Sequence, residues 1–183
     1  MTLDATTIEL SQPELREVAG YAVACARTTL TIFEHERPED GRPRAAIEAA
    51  QAFAAGGERN KAMRDYAWAA HRAAQEARDA GQAAASDAAR AAANAVGAAF
   101  LHPLPKATQV NHILRSAAHC ARAFELIAGD ELDVAAAHIE RLRLLASPIV
   151  VRVLMRYPAA PSGGGRVGEL MRRLDASLRS WLP

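Results

Sequence analysis

Three of the chain's six histidines fall within the stretch LHPLPKATQVNHILRSAAHC (101–120). Histidine titrates near neutral pH and is both a common metal ligand and a common acid–base catalyst, so chemistry is sought here first. On a helix, Gln109, His112, Ser116 and His119 would share one face. That face borders an apolar stripe, where a half-buried imidazole can reach a partner.

The spacing within this cluster argues against a metal site and against a nucleophile. His112 and His119 lie about 10.5 Å apart along a helix axis, whereas two ligands of one zinc ion usually come from positions four apart. Ser116, His119 and Cys120 point in different directions on a helix, and there is no GxSxG turn to expose a serine. We therefore expect no metal, no cofactor and no catalytic residue.

A second polar row lies in MRDYAWAAHRAAQEA (63–77), where Arg64, Trp68, His71 and Gln75 share one helical face. Such a row can line a ligand pocket or anchor a protein interface, where Trp and Arg are common. An indole more often fills space in the core, and we expect Trp68 to be buried. His71 fits an interhelical hydrogen bond and a ligand contact equally well.

A third group lies in ERPEDGRPR (36–44), where Arg42 and Arg44 flank a helix start that could hold a phosphate or a carboxylate. Pairing with Glu39, Asp40 and Glu48 would instead make a salt-bridged surface, which we favour. The candidate binding residues are Arg42, Arg44, Arg64, Trp68, His71, His102, Gln109, His112 and His119.

The elements that must position these side chains are helices. Alanine supplies 44 of the 183 residues and aromatic residues only 5%, and alanine is the best helix former. We predict an all-α, single-domain, alanine-rich helical bundle of about seven to eight helices. Residues 1–156 would form the bundle core, 157–165 a Pro/Gly linker and 166–183 a C-terminal amphipathic helix.

Polar caps and breakers predict where the helices begin and end. The first helix would continue to about Glu34, and the alanine-rich segment 82–101 would be a central helix that its neighbours approach closely. The predicted N-terminal caps are Ser11, Asn60, Asp130 and Ser147.

The charge balance bears on partners and location. A net charge of +1 gives no general attraction to nucleic acid, so none is expected as a partner. There is no secretory signal in the first ten residues and no apolar run long enough to span a membrane, which predicts a cytoplasmic protein. From Arg141 onward eight arginines face only Glu169 and Asp175, so this tail could bind an acidic partner, touch a membrane surface or dock on the core.

Four stretches resemble a bacterial family of immunity proteins. This family is most familiar in actinobacteria, and its members are assigned to toxin–immunity systems by genomic context. They are ELREVAGYAVACA, IFEHERPEDGRPRAAIEAAQAFAAG, MRDYAWAAHRAAQEA and LHPLPKATQVNHILRSAAHCARAFEL. The resemblance implies an α-helical protein that neutralises a partner and has no catalytic residues to carry over. Some relatives are labelled exonuclease-like, but this chain has no acidic metal cluster or nucleotide loop.

Two functions from different classes remain. The first is an immunity-type protein that neutralises a cognate protein toxin by non-covalent binding. The alternative is a small-molecule enzyme or sensor whose pocket, between helices, would be lined by His71, His102, His112 and His119. Convergence of these rings and Arg42 on one pocket would favour the alternative. Homodimer formation and docking of the C-terminal helix on its own chain are left open.

Overall fold

The computed structural model describes residues 7–181, and their regular structure is entirely helical. The α-helices are α1 (Gln12–Arg27), α2 (Leu30–Glu36), α3 (Arg42–Ala54), α4 (Lys61–Asp79), α5 (Ala83–Ala98), α6 (Val110–Ile127), α7 (Leu132–Leu144), α8 (Pro148–Met155) and α9 (Gly165–Ser180), with a 3₁₀ turn at Ala107–Gln109. The all-α prediction is confirmed, but this part of the chain has nine α-helices instead of about seven to eight. The predicted boundaries at residues 1 and 183 lie outside the described residues. None of the described helices is both long and apolar enough to cross a bilayer.

The additional helix arises from a break at Thr28 and Thr29, inside the segment predicted as one helix. The Thr28 hydroxyl donates to the carbonyl of Cys25 at 2.7 Å, and the Thr29 hydroxyl donates to the carbonyl of Ala26 at 3.2 Å. These hydroxyls compete with backbone N–H groups for the carbonyls that would continue the helix. The chain therefore turns between α1 and α2.

Three of the four predicted caps are confirmed. Ser11, Asn60 and Ser147 each accept a backbone N–H from the first turn of α1, α4 and α8 respectively. The prediction for Asp130 is wrong: its φ is 64°, and its carboxylate accepts from Arg122 at 2.7 Å. Asp130 therefore belongs to the turn that ends α6, and α7 begins two residues later without a side-chain cap.

α5 lies at the centre of the bundle, as its alanine content predicts. It packs against α1, α2, α3, α4 and α6. Its buried alanines are Ala85, Ala88, Ala89, Ala91, Ala92, Ala93, Ala95 and Ala98. Because the distance between two packed helices depends on the side chains at the contact, methyl groups allow close approach. The neighbours of α5 thus place their longer side chains around it.

α6 carries the predicted histidine face along the edge of its buried side. Its apolar residues pack into the main core, and Ser116 between them is buried. The Ser116 hydroxyl lies 2.9 Å from the carbonyl oxygen of Ala91 and 3.0 Å from that of Ala22. This polar contact fixes α6 against both α5 and α1, and so fixes the direction in which the histidines project.

α9 packs on the bundle of its own chain. Its side chains in the main core are Leu170, Met171, Leu174 and Leu178. The segment 157–165 that precedes it is hydrogen-bonded back to α9, because the Arg172 guanidinium donates to the carbonyls of Pro161 and Gly163. This arrangement places the glycines at the start of α9 against α6.

The arginines of the C-terminal tail are largely used within the chain. Arg156 of the turn after α8 binds Glu14 of α1, and Arg166 of α9 binds the buried Glu125 of α6. Others bind Glu140 and Asp175 or backbone carbonyls. Much of the local positive excess read from the sequence is thereby neutralised by contacts that hold α8 and α9 in place.

Candidate functional site

The predicted site residues separate into two regions, and the first is the loop before α3. Arg42 binds Asp40 at 2.6 Å and Glu76 of α4 at 2.5 Å. Arg44 binds Glu34 at 2.7 Å. These ion pairs agree with the favoured salt-bridged surface, although only Asp40 among the partners was foreseen. They hold α2, α3 and α4 together at the bundle surface.

The second region is a hollow between α4, α5 and α6, here called the Trp68 hollow. It has a volume of about 310 Å³. Its larger lining residues are Arg64, Trp68, His71, Phe100, Asn111, His112 and Arg115. The rows predicted on α4 and on α6 therefore meet across α5, and four of the nine predicted residues share one hollow.

Trp68 is 64% exposed, so the prediction that it is buried is wrong. α4 buries a narrow stripe of alanines, including Ala70, Ala73 and Ala77, against its neighbours. The stripe is already filled by methyl groups in close contact, which leaves no space for an indole. Trp68 therefore lies beside the stripe, with its ring centroid 6.0 Å from that of His71.

Phe100 forms the apolar end of the Trp68 hollow. The guanidinium carbon of Arg64 lies 4.9 Å from the centre of its ring, and that of Arg59 lies 5.6 Å from it. Stacking of this kind orients the cations without neutralising them. The end of the hollow is thus both aromatic and positively charged.

The histidines of the Trp68 hollow are neutral near pH 7. Burial lowers the pKa of His71, and nearby cations, Arg90 first, lower it further. Burial also lowers the pKa of His112, although the contact of its Nδ1 with the carbonyl of Gly97 at 2.7 Å opposes this shift. Neutral imidazoles can donate or accept hydrogen bonds, depending on the tautomer.

His102 and Gln109 serve the turn between α5 and α6. The Gln109 side-chain oxygen accepts the backbone N–H of His102 at 2.9 Å, and the Tyr157 hydroxyl donates to the carbonyl of His102 at 2.8 Å. The ring of His102 meets that of His112 edge-on at 6.5 Å. The turn thereby positions His112 at the Trp68 hollow.

His119 lines a second, adjacent hollow of about 270 Å³, here called the Arg90 hollow. Its polar lining residues are Arg78, Ser86, Asp87, Arg90, Arg115 and His119. His119 is buried, and its Nδ1 lies 2.6 Å from a carboxylate oxygen of Asp87. Burial lowers the pKa of His119 and outweighs the opposing hydrogen bond to Asp87. A neutral ring then donates its Nδ1–H to the carboxylate.

Arg115 of α6 lines both hollows, and sequence reasoning missed it together with Arg90 of α5. Within residues 7–181, no ion pair joins Arg64, Arg90 or Arg115 to a carboxylate. The spacing held a signal for Arg115, because it lies three residues after His112 and four before His119. Arg90 had no such signal, since its convergence with α6 depends on how the helices cross.

The arrangement can bind an anion or a protein side chain. The Asp87–His119 pair orients an imidazole, but in the described part of the chain no hydroxyl or thiol is hydrogen-bonded to its second nitrogen. Cys120 is buried, which raises the pKa of its thiol to about 12 and leaves no thiolate for nucleophilic attack. Among the described residues, no three His, Cys, Asp or Glu side chains are grouped to hold a metal ion.

Comparison with known proteins identifies the family of the chain. No curated protein and no solved structure matches the chain. A family model described as Imm-5 like putative immunity protein matches residues 9–146, which include α1 to α7 and most of both hollows. Because this match spans well over half of the 183 residues, the chain belongs to the Imm-5 like immunity protein family.

Proposed function

We propose that this chain neutralises a cognate protein toxin by non-covalent binding, and that the Trp68 hollow with its rim is the contact surface. The observation that carries the proposal is Trp68, 64% exposed beside Arg64 and Arg115, which have no carboxylate partner in the described structure. Exposed tryptophan and arginine are the side chains most enriched where protein interfaces gain their affinity. Family membership supports a toxin as the class of partner.

The lining of this surface suits a partner that presents apolar side chains next to carboxylates. Phe100 and the indole of Trp68 would cover apolar side chains of the toxin, and an aromatic side chain buries about 150–250 Å². Arg64 and Arg115 would each donate two hydrogen bonds to a carboxylate in bidentate geometry. Charged pairs of this kind orient the partner and raise the association rate.

The rigid platform under this surface also suits binding. α5 holds α4 and α6 through methyl contacts, and the hydroxyl of Ser116 fixes α6 against the carbonyls of α5 and α1. Side chains on helices that are fixed in this way lose little additional freedom on binding, which lowers the entropic cost of association.

The alternative, a small-molecule enzyme or sensor, is favoured by one observation: His71 and His112 line the same hollow. His119 lines the other hollow, His102 serves the turn, and Arg42 lies in the ion-paired loop before α3. The groups that would have to converge for acid–base chemistry are thus divided among different places. Measuring whether the chain forms a complex with a toxin separates the two functions, because only neutralisation requires such a complex.

The test compares Trp68→Ala with Leu144→Ala, a control that truncates another exposed apolar side chain, 70% exposed, on α7. Each variant is co-expressed with a candidate toxin, sought among the products of neighbouring open reading frames, and affinity is measured by calorimetry. We expect Trp68→Ala to weaken binding about 30-fold, equivalent to about 2 kcal/mol, and to abolish rescue of growth. Leu144→Ala should bind as the parent does.

Equal affinity of the two variants would refute the contact surface. Absence of both growth rescue and a stable complex with the unaltered chain would refute toxin neutralisation itself. Circular dichroism and thermal unfolding of both variants check that each remains folded, which is expected because both side chains are exposed.

A further inference from the structure

The Arg90 hollow gathers positive charge from three helices at one point. Arg78 comes from the last turn of α4, Arg90 from α5 and Arg115 from α6, and Gly164 closes the remaining side. Within residues 7–181 none of these three guanidinium groups pairs with a carboxylate. Arg42 and Arg122, by contrast, are each bound to two carboxylates.

Ser86 adds a hydroxyl to the lining of the hollow. The residue is only 3% exposed, and its hydroxyl makes no hydrogen bond to another described residue. Its oxygen nevertheless keeps contact with solvent at the hollow. A ligand oxygen there can therefore take the place of water as its hydrogen-bond partner.

The only carboxylate that lines the hollow is already occupied. Asp87 accepts the Nδ1–H of His119 at 2.6 Å. This hydrogen bond fixes the carboxylate and directs its negative charge toward the imidazole. Three guanidinium groups still outnumber one carboxylate, so the net charge of the lining is positive at pH 7. Gly164, the N-terminal cap of α9, also lines the hollow, and backbone N–H groups of the first helical turn gather next to it.

We propose that the Arg90 hollow binds a phosphate group, either as inorganic phosphate or as part of a small phosphorylated molecule. Arginines on three helices, together with a hydroxyl, offer donors for the several oxygens of a phosphate, whereas a carboxylate has only two oxygens. A volume of about 270 Å³ exceeds that of a bare phosphate and leaves room for an attached organic group. The proposal does not rest on toxin binding.

A phosphate in this position would add a polar contact shared by four helices. It would contact α4, α5 and α6 of the bundle and the start of α9. Because a ligand that binds only the folded state stabilises it, occupancy should raise the unfolding temperature in proportion to the logarithm of ligand concentration above saturation.

The test is calorimetry and thermal unfolding of the full chain at pH 7.5, where His119 is neutral. Sodium phosphate, glycerol 3-phosphate and sodium acetate are each titrated at the ionic strength of a sodium chloride reference. We expect one saturable site for the two phosphate-bearing ligands and none for acetate or chloride. The tighter of the two phosphate-bearing ligands identifies whether the free ion or an ester is preferred.

Variants distinguish the hollow from general charge attraction. Arg90→Gln should weaken phosphate binding at least 10-fold, and Ser86→Ala should weaken it severalfold without changing the net charge. Arg72→Gln removes the same charge from an exposed position on α4 and serves as the matched control, with binding unchanged. Equal effects of Arg72→Gln and Arg90→Gln, or equal binding of acetate and phosphate, would overturn the proposal. Ser86→Ala keeps the test decisive if Arg90→Gln proves unstable.

Discussion

Glu125 is a fully buried carboxylate, and we predict that removing its partner costs more stability than removing the carboxylate itself. It is 0% exposed and accepts hydrogen bonds from Arg122 of α6 at 2.6 Å and from the Nε of Arg166 of α9 at 3.0 Å. Burial raises the pKa of Glu125, but these two arginines outweigh that effect and hold it below its usual value. The contact fastens the first turn of α9 to the end of α6.

Arg166→Met keeps most of the aliphatic stem and leaves the buried carboxylate with one cation. Breaking a buried pair in this way costs about 3–5 kcal/mol, and we expect about 3 kcal/mol because Arg122 remains. Glu125→Gln removes the buried charge and leaves two partly exposed arginines that keep their second partners, Asp130 and Glu169. It should cost only about 1 kcal/mol. In a chain of this size, the two losses correspond to about 9 °C and about 3 °C in unfolding temperature.

The assay is urea unfolding of the unaltered chain, the two single variants and the double variant at pH 7. In the double variant no buried charge remains, so its loss should be well below the sum of the single losses. A carboxylate with a lowered folded-state pKa gives stability above the unfolded-state value near 4.5, and this stability is lost as pH falls through the lower value. The advantage of the unaltered chain over Glu125→Gln should therefore shrink in acid. A smaller loss for Arg166→Met than for Glu125→Gln would refute the reasoning.

Two further predictions concern stability. Gly168→Ala should destabilise the chain by about 1–3 kcal/mol in urea unfolding, because the added Cβ would lie 2.0 Å from the carbonyl oxygen of Gly163. Gly41→Ala, where nothing lies within 4 Å, is the control, and equal effects would show that the close approach is unimportant. Arg156 lowers the pKa of Glu14 to about 2, so this contact stabilises above pH 4.5 and is lost as pH falls toward 2. Glu14→Gln should lower stability by about 1 kcal/mol at pH 7, allowing for solvent screening, and by nothing near pH 2.

Local chemistry made the helix starts predictable from sequence. A cap needs only a side-chain oxygen and the N–H groups two or three residues later, so Ser11, Asn60 and Ser147 were identifiable without knowledge of the fold. Asp130 has the same residue type but lies in a left-handed turn after α6, and its carboxylate is bound to Arg122. Its role depends on the preceding helix end, which the pattern around it did not reveal.

The composition of α5 predicted its central position. The alanines of α4 explain why the prediction that Trp68 is buried was wrong. The expectation of burial assumed that a large ring fills the space that small side chains leave. In the structure the alanine methyl groups are buried against the neighbouring helices, so no space for a large ring remains between them. Sequence periodicity gives the direction in which a side chain points, and it does not give the distance to the neighbouring helix.

The lining of the two hollows could not be predicted from the sequence, because it depends on how the helices cross. His112 is half-buried at the edge of the buried stripe, as predicted, whereas His119 is buried more deeply than predicted. Each ring reaches a partner. Which residues of α4 and α5 face that edge is set by the crossing of three helices. Arg90 lies in an alanine run with no distinctive spacing, so only the packed structure assigns it to a site.

The distribution of charge gives the strongest physical reason to assign binding to this face. The chain has 22 basic and 21 acidic residues, so enough carboxylates are present to pair its arginines where the fold brings the two together. At the tail and at the loop before α3, the fold brings the two together, and the arginines stabilise helix contacts there. Around Arg115 it brings together cations, neutral imidazoles and an exposed indole instead. These unpaired cations add little to the stability of the folded chain. They gain a favourable electrostatic interaction when an anionic group binds next to them.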